Sequence, residues 1–123
     1  MTDTFCDDSP ITDVLRYAGN VSSLAHMQVM RTMKAGMTEY QAESTFKHYS
    51  YFYGGARHTC YTSIAAAGSS GSIFHYGHAG AANDHPLRDG DMVSFNNELW
   101  LKHGVVVMMC LLLHAMPNWS GFV

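Results

Sequence analysis

The sequence contains no run of Lys or Arg, and its 7 basic against 10 acidic residues leave a formal net charge of -3. A chain that neutralises phosphates needs clustered cations, so nucleic acid is not expected as a partner. Cysteine is also scarce. Cys6, Cys60 and Cys110 are an odd number in no close spacing, which argues against a disulfide framework or a zinc knuckle and for a reducing compartment. Long hydrophobic runs are missing too: the apolar stretch 105–113 is far short of the roughly 20 residues that a membrane-spanning helix needs. The start carries Asp3, Asp7 and Asp8 without an apolar stretch, the opposite of a secretory signal or a mitochondrial presequence. These absences predict a cytoplasmic protein that neither crosses a membrane nor binds nucleic acid, with an unstructured N-terminus over residues 1–9.

What is present describes a globular domain. The hydrophobic content of 47% with 14% charged residues is too apolar for a disordered chain, and 123 residues suffice for one core. Ser9-Pro10 reads as an N-cap followed by proline in the first turn, with Asp13 near the positive end of the helix dipole. Val14, Ala18, Val21, Ala25 and Val29 recur at steps of three or four. A helix is therefore expected over 10–34, stopped by Gly36. Thr38 and Gln41 have capping-box spacing. Ala42, Phe46, Tyr49 and Tyr53 make a second stripe opposite Glu39, Glu43 and Lys47, with Gly54-Gly55 as terminator.

After the glycines the texture changes. Residues 60–66 read as a strand, Gly68-Ser69-Ser70-Gly71 as a break, and 73–79 as a second strand. A turn-rich connection over 80–91 then leads to a third strand from Met92. Among the eight histidines, His75 and His78 are the nearest pair with chemistry in view. Residues three apart on a strand point to opposite faces, so these two could share a metal only if the backbone turned between them. His26, His48 and His85 are read as structural histidines bonded to backbone groups.

Several runs, in order, carry more than composition does: Leu15-Arg16-Tyr17, Ser22-Ser23-Leu24-Ala25-His26, Gly36-Met37-Thr38-Glu39-Tyr40, Arg57-His58-Thr59-Cys60-Tyr61-Thr62-Ser63-Ile64, His75-Tyr76-Gly77-His78-Ala79-Gly80 with Asn83-Asp84, and Gly90-Asp91-Met92-Val93. Together they resemble the N-terminal part of the catalytic domain of the Xaa-Pro dipeptidase (prolidase) family, metallopeptidase family M24. The resemblance implies an α+β, partial pita-bread (creatinase/aminopeptidase-like) fold, with two helices followed by antiparallel strands over residues 10–96. It also implies metal-dependent hydrolysis of dipeptides with C-terminal proline, two divalent metal ions, manganese being the expected one, and a dipeptide substrate. His75 matches a substrate-binding histidine and Tyr61 a residue facing the same cavity, with packing as the alternative for Tyr61.

The resemblance also marks a departure. Where the family has an aspartate ligand after a phenylalanine, Asn96 follows Phe95. Two cations close together need several carboxylates to offset their repulsion, and a neutral amide supplies no charge. Glu98 and His103 have no spacing that recommends them as substitutes. Residues 97–123 read as a divergent tail, with a shifted reading frame, a retained intron or a faulty gene model as its expected origin. Translating the transcript in its other frames tests this, and finding no Asp-rich continuation contradicts it. The expectation is a truncated family member, inactive as this chain and binding no metal. Three alternatives stand beside it: pairing as a homodimer or with a full-length paralogue, an unstable fragment, and a small histidine-rich metal carrier.

Overall fold

The computed structural model describes residues 10–73, 75–78, 80–100 and 106–114; the expected disorder of residues 1–9 lies outside them. The helix α1 runs Pro10–Thr32 and α2 runs Glu39–Phe52, close to the periodicity-based bounds. Strands follow at β1, His58–Thr59, β2, Ile64–Ala67, β3, Met92–Trp100, and β4, Val106–His114. No helix among the described residues is long and apolar enough to cross a membrane.

The strand β3 is the centre of the sheet and pairs antiparallel with all three others. β4 pairs along its whole length, from Met92↔His114 to Trp100↔Val106. On the other edge β1 and β2 pair successively, with Thr59↔Leu99 and Ile64↔Asn96 as the inner pairs. Four residues, 60–63, thus oppose two, 97–98, so β1 and β2 are one edge interrupted by a bulge. The sequence-based strand over 60–66 is correct only from Ile64, because the bulge takes its first half.

Both helices bury one stripe against one sheet face. Ala18, Val21, Ala25 and Val29 of α1, Ala42 and Phe46 of α2, and Ala65 and Phe95 of the sheet form one buried cluster. His26, Phe46 and Phe95 meet edge to face, with centroids 4.8 to 5.7 Å apart, a geometry that aligns ring edges with ring faces. The segment just after α2 approaches α1 closely at Gly54, where an added Cβ would lie 2.2 Å from Val21 Cγ1. A second cluster joins Ala67, Leu87 and Val93, with Met33 and Met37 packed on it.

Three details differ from the sequence reading. The α2 stripe ends before Tyr53, which is 68% exposed, because the helix closes through Gly55 N–H to Tyr51 O and Ala56 N–H to Ser50 O. Glu39, placed by periodicity on the solvent face, is fully buried. Within the expected strand 73–79, the described residues 75–78 are not extended: Tyr76–His78 is a 3-10 turn, and His75 before it is left-handed with φ 54°.

Candidate functional site

Strand alternation puts Val93, Phe95 and Asn97 toward the helices, and Ser94 and Asn96 on the opposite face. The first three are fully buried and the latter two half-buried. Asn96 faces the bulge, from which the Tyr61 hydroxyl donates a hydrogen bond to Asn96 Oδ1. The structure therefore brings together two of the three residues singled out from the sequence. Tyr61 stands on the bulge and not on a regular strand, and the extra residues re-aim its side chain across β3.

His75 stands exposed on the neighbouring turn. That turn is tied to the bulge at Gly77, where a Cβ would lie 2.7 Å from Thr62 O, so only glycine permits the approach. Behind His75, Tyr76 is 2% exposed, and its hydroxyl donates to Glu39 Oε2 at 2.5 Å. Burial, reinforced by the Glu39 carboxylate, raises the Tyr76 pKa above 10.0, which keeps the hydroxyl protonated as a donor. Glu39 also accepts from Ala67 N–H at 2.6 Å and from His85 N–H at 3.2 Å.

The far end of the same loop is held similarly. Asn83, at φ 60°, accepts from Ala65 N–H through Oδ1 and donates through Nδ2 to Ser63 O and Glu43 Oε2. Glu43 also pairs with Lys47, as the helix spacing predicts. Asn83 carries no signal of this role beyond its place in the family-like pattern, and periodicity places Glu39 on the solvent face. The signal available for Glu39 was its place one residue after a capping threonine, where backbone N–H groups gather.

Among the described residues the donor set does not suit a pair of divalent cations. Asn96 contributes a neutral oxygen that already accepts a hydrogen bond from Tyr61. No group of three or more His, Cys, Asp or Glu among the described residues could hold a metal ion. His78 is on the turn, but its side chain, that of Glu98, and His103 lie outside the described residues. The strand geometry used to argue against a shared His75/His78 site does not apply, since the backbone does turn between them.

Comparison with known proteins gives a consistent result. The family model described as metallopeptidase family M24 matches residues 13–115. The chain is 51% identical over 84 residues to the Xaa-Pro dipeptidase of Rattus norvegicus, covering 68% of this chain and 17% of that protein. It is 38% identical over 80 residues to the Xaa-Pro aminopeptidase of Escherichia coli strain K12, covering 65% and 17%. Proline aminopeptidase P II from Yersinia pestis superposes with a TM-score of 0.80 at 31% identity, over 92% of this chain and 24% of that one. The chain thus spans 17% of the length of the curated relatives named here.

Proposed function

This chain belongs to metallopeptidase family M24, and from that premise we propose that it forms one wall of a proline-dipeptide site without the means to hydrolyse the substrate. Identity is higher to a dipeptidase, 51%, than to an aminopeptidase, 38%, which supports dipeptides with proline second as the substrate class. His75, exposed on a pinned turn, is the substrate contact. Tyr61, on the bulge to which that turn is tied through Gly77 and Thr62, is the second wall residue.

The observation that carries the inactive reading is the neutral Asn96 amide bound by Tyr61, at the position where the resemblance places an aspartate ligand. Manganese, the expected metal in such peptidases, is not assigned to this chain. The cytoplasm, expected from the unclustered cysteines, remains part of the proposal.

Nuclear magnetic resonance titration of the whole labelled chain with millimolar Gly-Pro tests the wall. Shifts concentrated at His75 and Tyr61, absent with Gly-Gly, are expected. Shifts no larger than those with Gly-Gly contradict the reading.

A further inference from the structure

We infer that Glu39 is a positioning residue whose buried carboxylate ties three segments together and thereby fixes the turn that presents His75. The inference rests on the proposed role of His75 and adds a residue to that site.

A carboxylate is rarely buried unless it is paired or fully hydrogen-bonded. Glu39 is fully buried, and it forms no ion pair among the described residues. Its charge is met by three donors: Ala67 N–H at the end of β2, the Tyr76 hydroxyl in the turn, and His85 N–H in the return segment. These partners are 28, 37 and 46 residues away along the chain. Short charge-assisted bonds of this kind are stronger than neutral ones and set geometry.

The return segment is also laced to the entry of α2 through the backbone, with Glu39 N–H to His85 O, Leu87 N–H to Met37 O and Gly36 N–H to Leu87 O. These bonds would hold residues 85–87 in place without the Glu39 side chain. They do not reach the turn. Tyr76 is reached from α2 only by the carboxylate among the described contacts, and Tyr76 directly follows His75. A left-handed histidine persists only where its surroundings over-determine the backbone. Gly77 against Thr62 and Tyr76 against Glu39 supply that constraint from two sides.

The test uses the whole isotope-labelled chain carrying Glu39→Gln. The amide keeps the side-chain shape, but its NH2 end meets donors where the carboxylate accepted. Expected are a tenfold or greater rise in amide exchange at Ala67 and His85, and movement of the His75 Hα–HN coupling and Cβ shift toward averaged values. Resonances of Phe46 and Phe95 should stay in place. A folded variant with an unchanged His75 backbone signature overturns the inference. Should Glu39→Gln not fold, Tyr76→Phe removes the hydroxyl that donates to Glu39 and also meets Ser70 and Asn83. There too His75 must lose its left-handed signature, and its retention overturns the inference. Gly-Pro titration separates this from the parent reading: a wild-type chain that ignores Gly-Pro refutes the dipeptide wall, whereas the His75 signature alone decides on Glu39.

Discussion

His26 lies in the core with its ring edge-on to Phe46 and Phe95, and its Nδ1–H donates to Ser22 O at 2.8 Å. Its Nε2 is buried without a hydrogen-bond partner among the described residues, so protonation there would place a poorly compensated cation among aromatic rings. Burial accordingly lowers the pKa below its ordinary 6.5, opposed in part by the bond to Ser22. The unfolded chain then binds the proton more readily, so this contribution to stability is full above pH 6.5 and is lost as pH falls toward the lowered folded value. One proton limits the slope to about 1.4 kcal/mol per pH unit. Urea unfolding at pH 7.5 and 5.5 should show lower stability at the acid value, with a smaller difference in His26→Leu. The sequence disclosed His26 as a structural histidine bonded to a backbone group. It concealed Glu39, because a helical pattern reports which face of α2 meets the other helix and not which loop folds back over its first turn.

At the scale of elements, period and punctuation located both helices to within a few residues. The turn at 75–78 was misread because its local composition suits a strand. What decided its shape is long-range: the Tyr76 bond to Glu39 and the approach of Gly77 to Thr62. The strand β3 shows the converse. Val93 and Phe95 fit the helix-facing side, yet Asn97 on that side is fully buried with neither amide atom hydrogen-bonded among the described residues. A buried amide without partners opposes folding. Asn97→Val, β-branched and apolar, should therefore raise stability by about 1–3 kcal/mol, measured as an increased urea midpoint at unchanged slope. A lower midpoint would show that the amide has a partner worth keeping.

For the whole molecule, the ordered runs around Tyr61 and His75 made the family legible, and the pita-bread relationship follows from the same residues and from the superposition on an aminopeptidase P II. The tail was less legible. Residues 105–113 lack alternation, yet the backbone pairs Val106–His114 with β3 in continuous register, since backbone groups pair whatever the side-chain pattern. In the proposed reading, family membership and catalysis separate at Asn96, where the chain carries a neutral amide. The most direct measurement is incubation of the purified chain with Gly-Pro and added manganese, following free proline. The account predicts no release above a chain-free control. Clear, chain-dependent turnover would contradict it.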